Sequence, residues 1–228
     1  MNYILWHTPR TGSNFLCNLL HLTQVAGIKD YENCGFHIPQ MYKENLSTEQ
    51  FLTLSNLYLD RQRTTNGISG CKGGITYYDE IKKQVGNDAA YEWFGLFDKH
   101  IFLMRRDLVG QAVSALFAGH TKRWTSKSKT DIPDPAYHKG SIMNTMCEVA
   151  GQNARLLYMF GECGIEPKFV YYEDLLIDAP TMLKEIMHFL NIEDEYTFRP
   201  AEIEKQLNPK KLKYSQLYHL SRGRYESK

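Results

Sequence analysis

HTPRTGSNF, residues 7–15, ends an apolar run and begins a helical one. Upstream, Asn2–His7 (NYILWH) is short, apolar and aromatic, the pattern of a buried strand. Pro9, Thr11, Gly12 and Ser13 break it. Downstream, Asn14–Leu22 (NFLCNLLHL) sets Phe15, Leu16, Leu19 and Leu20 on one side of a helix, with Ser13 or Asn14 able to cap it. Strand, tight polar turn and helix in that order make a βα unit. A helix N-terminus carries unpaired N–H groups and the positive end of the dipole, so it favours a phosphate or sulfate. Gly12 lets the backbone approach such an anion, Thr11, Ser13 and Asn14 add side-chain donors, and Arg10 adds a planar cation. Thr8–Asn14 therefore reads as an anion-binding loop. An ordinary well-capped turn is the competing reading, and the cation beside the glycine favours the anion.

The loop lacks the G-x-x-x-x-G-K-[ST] spacing of a P-loop. P-loop NTPases also place an Asp after a later strand to serve magnesium. Here the strand-like His100–Met104 (HIFLM) runs into Arg105 and Arg106, with Asp107 only after them. Fixed cations take the place of a metal in this reading. Met104–Ser114 (MRRDLVGQAVS) is thus a second candidate site: arginines at a strand end and a serine two turns into the next helix. Surface arginines paired with carboxylates are the alternative. Taken together, the two sites suit a ligand with phosphates at both ends.

The rest of the chain supplies the frame. Helical periodicity covers Glu49–Arg63, Tyr78–Val85, Asp107–Ala118, Ser141–Cys163 and Thr181–Leu190, the last with Pro180 near its start. Pro167–Tyr172 (PKFVYY) reads as a third strand. Thr65–Gly74 is glycine-rich and holds GISGCKGG; Tyr31–Ser47 and Thr121–His138 read as loops. No repeat or linker divides residues 1–228, so a single domain is expected. The architecture expected is α/β: a three-layer, P-loop-like domain with a mostly parallel central sheet flanked by helices, its site at the C-terminal edge of the strands.

Hydrophobic residues are 43% of the chain and the net charge is +1, which fits a folded protein and disfavours a general nucleic-acid binder. Positive charge gathers late, at Lys205, Lys210, Lys211, Lys213, Arg222 and Arg224, where a solvated tail is one reading. The five cysteines form no CxxC pair, so neither a disulfide framework nor a zinc site is expected, and each is read as a small core residue. No secretory leader or membrane span is visible, which places the chain in a reducing cytoplasm.

Several phrases resemble the sulfotransferases that use 3′-phosphoadenylyl sulfate (PAPS). TPRTGS (8–13) looks like their 5′-phosphosulfate loop, and RRDLVGQAVS (105–114) like their 3′-phosphate motif. YEDLLIDAPTMLKEIMHFLNI (172–192) is similar to a strand-and-helix signature of that superfamily. RTGSNFLCNLL followed by QVAG, then QAVSALFAG, then AYHKGSI resemble the Stf0 branch, known for trehalose 2-sulfotransferase, and the motifs occur in family order.

The resemblance implies roles. Arg10, Thr11, Gly12, Ser13 and Asn14 would hold the phosphosulfate, with Arg10 also bearing on the transferring group. Ser114 and either Arg105 or Arg106 would bind the 3′-phosphate. Lys72 would touch the sulfate or the acceptor, unless it is a surface lysine. An acceptor hydroxyl needs a base. Relatives carry a glutamate after the VAG-like stretch; here VAGIKDYENCGF (25–36) departs from that pattern, leaving Glu32 as first candidate and Asp30 as second. His7, His37 and His120 lie nearest the motifs and receive no such role. Trp124 and the late basic cluster are candidates to close over the nucleotide. The expected activity is sulfuryl transfer from PAPS, leaving PAP (3′,5′-phosphoadenosine), to a small-molecule or glycan hydroxyl, a carbohydrate or glycolipid, with no metal required. Pairing with a second copy of the chain is left open. The competing functions are an atypical small-molecule or nucleotide kinase and a catalytically silent PAP-binding protein of the same fold.

Overall fold

The computed structural model describes residues 1–36, 46–124, 128, 130–201 and 208–223. His37, Lys205 and Arg224, and parts of both loops expected to choose the acceptor, lie outside the described residues, as does the side chain of Arg222.

β1 (Asn2–His7) is buried along its middle and pairs in parallel on both sides, with β2 (Ser69–Gly73) and β3 (Lys99–Met104). β4 (Lys168–Tyr171) adds to β3, also parallel, giving the order β2-β1-β3-β4. A strand covered on both faces must be apolar on both, which explains the unbroken runs of β1 and β3. Alternation then splits β1 between two cores. Ile4 and Trp6 pack with Phe51, Trp93, Phe94 and Phe160; Tyr3 and Leu5 pack with Leu16, Leu19, Leu183 and Ile186. The first core belongs to α2 (Thr48–Gln62), α3 (Ile75–Phe94) and α5 (Lys139–Glu162). The second belongs to α1 (Ser13–Thr23) and α7 (Ala179–Phe189). These are the helix, sheet and helix layers of an α/β fold, as expected. Among the described residues, no helix is long and apolar enough to cross a membrane.

The structure corrects the sequence reading in several places. The glycine-rich GISGCKGG contains β2, an edge strand built of small residues. A Cβ at Gly70 would run into the ring of Tyr3 on the neighbouring strand, so the large residue of that pair sits on β1 alone. The helix expected at Tyr78–Val85 extends over Ile75–Phe94, broken at Gly86 by a φ of 84°. A short α6 (Tyr172–Ile177) follows β4 directly. Of the late basic residues, Lys210, Lys211, Lys213 and Arg222 lie in a helix, α8 (Pro209–Gly223), not a frayed tail. Tyr214 and Tyr218 of α8 pack on α4 (Leu108–Thr121) at Val113 and Phe117, closing a third apolar cluster. Cys17, Cys34 and Cys71 are core residues, but Cys147 is exposed and Cys163 half-buried.

Candidate anion-binding site

All four strands run the same way, so the segments leaving β1, β3 and β4 emerge at one edge. That edge collects Thr8–Gly12, Arg105 and Tyr172. The loop after β1 is tightly folded. Thr8 O accepts from both the backbone N–H and the hydroxyl of Thr11. Thr11 therefore faces inward and is buried, rather than offering its hydroxyl to an anion. Gly12, at φ 88°, occupies the cap position of α1. The cap expected from Ser13 or Asn14 is thus absent, and among the described residues the start of that helix makes no side-chain cap hydrogen bond. Those N–H groups are the partial positive charge an anion seeks.

Gly12 is required for a second reason. The ring of Tyr172 lies where its Cβ would be, and the same ring meets Phe15 edge-on. Glu173 accepts from the backbone N–H groups of Arg106 and Asp107, at 3.0 and 3.2 Å. Asp174 takes both terminal nitrogens of Arg106, at 2.6 and 2.8 Å. Asp107 caps α4 through Gly110 N at 2.8 Å.

The two arginines after β3 differ sharply. Arg106 is half exposed, paired with Asp174, and stacked over Tyr171 at 4.1 Å. Arg105 is largely buried and lies over Tyr172 at 5.3 Å. Its Nη2 meets Asp107 at 3.2 Å; its Nε has no hydrogen-bond partner among the described residues and stands 3.8 Å from Glu173. Successive residues at a strand end point to opposite sides, which separates the pair.

Arg10 faces Arg105. Its Nε donates to Ser114 Oγ at 3.1 Å and its Nη1 to Trp124 O. Burial first, and then the charge of Arg105, hold the Arg10 guanidinium below its ordinary pKa. Lys211, in the first turn of α8, belongs to the same group. Burial first, then Arg10 and Arg105, push its pKa down to about 8, against an opposing pull from Asp134. The start of α8 is tied to the segment between α4 and α5 by Asn208 and Lys210 on Asp134 and by Tyr214 Oη on Pro135 O. Sequence reasoning placed Lys211 only within a basic cluster. Its facing became visible once Phe117, 5.7 Å from its Nζ, fixed α8 against α4.

On the other side of α1, Lys72 Nζ donates to Asn14 Oδ1. The backbone of Lys72 bridges Cys34 O and Phe36 N, so the segment after VAG runs along β2. The two base candidates part here. Asp30 accepts from Glu32 N, Asn33 N and Asn33 Nδ2, and these bonds, Asn33's side chain foremost, lower its pKa. Glu32 is exposed and accepts from Tyr31 Oη at 3.2 Å. His7, at the end of β1, is driven down to about 4 by burial and by Lys72, so it is neutral near pH 7. His120 lies in the last turn of α4.

A family model described as Stf0 sulphotransferase matches residues 80–220. The chain belongs to the Stf0 sulphotransferase family. Sulfuryl transfer is the family's class of activity. The matched span of this Stf0 member includes Arg105, Ser114, Tyr172–Asp174 and Lys211, while loop 8–12 precedes it and is joined to it through Arg10. Comparison with curated proteins gives no match to the chain.

Proposed function

We propose that this chain transfers a sulfuryl group from PAPS to a hydroxyl acceptor, a carbohydrate or glycolipid. The observation that carries this reading is Arg10 bonded to Ser114, with Arg105 over the Tyr172 ring that packs on Gly12, beside a helix end that makes no side-chain cap bond among the described residues; the charges of Arg10 and Arg105 also bear on Lys211. Like charges held together are costly, and a polyanion relieves that cost. PAPS fits the residues present because it is anionic at both ends. Arg105, Ser114 and Lys211 would hold the 3′-phosphate; Arg10, Gly12, Ser13, Asn14 and Lys72 would hold the phosphosulfate. Arg106, committed to Asp174, is left out of the site.

When bound, PAPS supplies the sulfuryl group, with its 5′-phosphate as the leaving group. Arg10 and the α1 amides offset the charge that grows on that phosphate, an electrostatic contribution already in place before reaction. Lys72 orients Asn14 at the mouth of the loop. Glu32 is assigned as the base for the acceptor hydroxyl, because Asp30 is spent on its own turn. The carbohydrate class follows from the family resemblance. In this reading residues 1–228 act as one sulfotransferase domain in the cytoplasm.

The engagement of Asp30 and the exposure of Glu32 favour one second reading, a PAP-binding member without turnover. Calorimetry with PAP and with Mg-ATP, followed by PAPS turnover on a panel of sugars and glycolipids, separates the cases. PAP binding with sulfate transfer supports the proposal. PAP binding with no transfer to any acceptor selects the silent reading. Mg-ATP binding without PAP binding overturns both and points to a kinase.

A further inference from the structure

Gln111 lies on α4, three residues before Ser114, and its side chain is fully buried. Its Nε2 donates to Thr8 Oγ1 at 2.9 Å and to Pro9 O at 2.8 Å. Both acceptors lie in the anion loop, immediately before Arg10. Arg10 itself has a φ of 66°, in the left-handed region. A side chain there is strained, and such a conformation persists only where its surroundings over-determine it. Within the loop the restraint comes from Thr11 on Thr8 O. Across to α4 it comes from the two bonds of Gln111 and from Arg10 Nε on Ser114.

The other end of the Gln111 amide sharpens the point. Its Oε1 is buried with no hydrogen-bond partner among the described residues. A buried carbonyl without a partner keeps the full penalty of leaving water. An apolar residue of the same size would avoid that cost, so the value of Gln111 at this position lies in its donors. Position 111 shares the α4 face that carries Ser114, one helical turn apart. One helix face thus holds the backbone of the loop with Gln111 and the guanidinium with Ser114.

We propose that Gln111 is a positioning residue, which presets Thr8–Gly12 for its anion and fixes the direction of Arg10. The nature of that anion rests on the PAPS reading; the holding of the loop does not. Gln111→Met keeps the volume and removes the donors. Thr8→Val is nearly isosteric, removes one of the two acceptors, and covers the case in which the first variant fails to fold. Hydrogen exchange of the amides of residues 10–14, without ligand, is expected to quicken by about tenfold in Gln111→Met, with a smaller change in Thr8→Val. PAP affinity is expected to weaken by about tenfold or more, and the KM for PAPS to rise while that for the acceptor stays put. The double variant should lose less than the sum of the two. Unchanged loop exchange overturns the inference, as does PAP binding within about twofold of wild type. If wild type binds no PAP, the donor reading falls, and loop exchange in the two variants alone decides the role of Gln111.

Discussion

Arg10 Nε donates to Ser114 Oγ across 3.1 Å, tying the loop after the first strand to the middle of α4. In the proposed reading, Arg10 serves the phosphosulfate and Ser114 the 3′-phosphate, so each is expected to affect a different step. Arg10→Ala is expected to lower turnover by about 10²–10³-fold, the usual effect of losing one prepared charge-stabilising donor. Ser114→Ala is expected to weaken PAP by about tenfold with a smaller effect on kcat. Steady-state kinetics and calorimetry on the two variants check the split.

Arg105 and Arg106 are adjacent in sequence but should behave as unrelated residues. Arg105→Ala is expected to weaken PAP and to leave adenosine 5′-phosphate, which lacks the 3′-phosphate, bound as before. Arg106→Ala is expected to lower Tm, through loss of Asp174 and Tyr171, and to leave PAP affinity unchanged. Equal loss of PAP affinity in both would refute the assignment.

Lys211 is expected to give PAP binding a pH dependence. Its pKa in the free protein is about 8, below the ordinary 10.5. A bound dianion favours the charged lysine, so binding above about pH 8 must take up a proton. PAP affinity is therefore expected to be full below about pH 8 and to fall as pH rises past it, by at most about tenfold per pH unit. Lys211→Met should bind more weakly throughout and lose this slope in calorimetric titrations.

His100 bears on stability. Its Nδ1 accepts from Trp6 Nε1 at 3.0 Å, which requires that nitrogen to be unprotonated, and burial lowers the pKa from 6.5 to about 4. The unfolded chain binds the proton first. The stabilisation is therefore full above about pH 6.5 and is lost as pH falls towards 4, by up to about 3 kcal/mol. In urea unfolding, His100→Phe should be less stable near neutral pH and show a shallower loss in acid.

Gly12→Ala meets two obstacles, a φ of 88° and the ring of Tyr172. A loss of about 1–2 kcal/mol or more is expected from the backbone alone. Adding Tyr172→Ala should cost less in this background than in wild type, because the clash has gone. Additive losses in thermal unfolding would disprove the contact.

What the letters of the chain conveyed followed from burial. β1 and β3 could be read because strands covered on both faces must be apolar throughout. β2 could not, because Tyr3 fills the space above Gly70 and leaves an edge strand of small residues that reads as a loop. Arg10, Gly12 and Ser114 were legible as chemistry. The choice between Arg105 and Arg106 was not, since it depends on which side of the sheet each leaves. Gln111 looked like any polar helix residue, because its acceptors lie 103 and 102 positions away. Lys211 was hidden in a basic run, and only the packing of Tyr214 and Tyr218 on α4 singles it out. The carboxylates at 30 and 32 differ through turn bonds that no spacing rule encodes.

Tyr172, Glu173 and Asp174 each brace a different neighbour: the glycine of the anion loop, the start of α4 and the guanidinium of Arg106. They are consecutive, so the ends of β1 and β3 are braced by a single short word. A sister chain that had shed its chemistry would still need that word to stand. Its survival in such a chain would testify to architecture alone, and the letters worth checking for a living enzyme would be those at positions 10, 105 and 114.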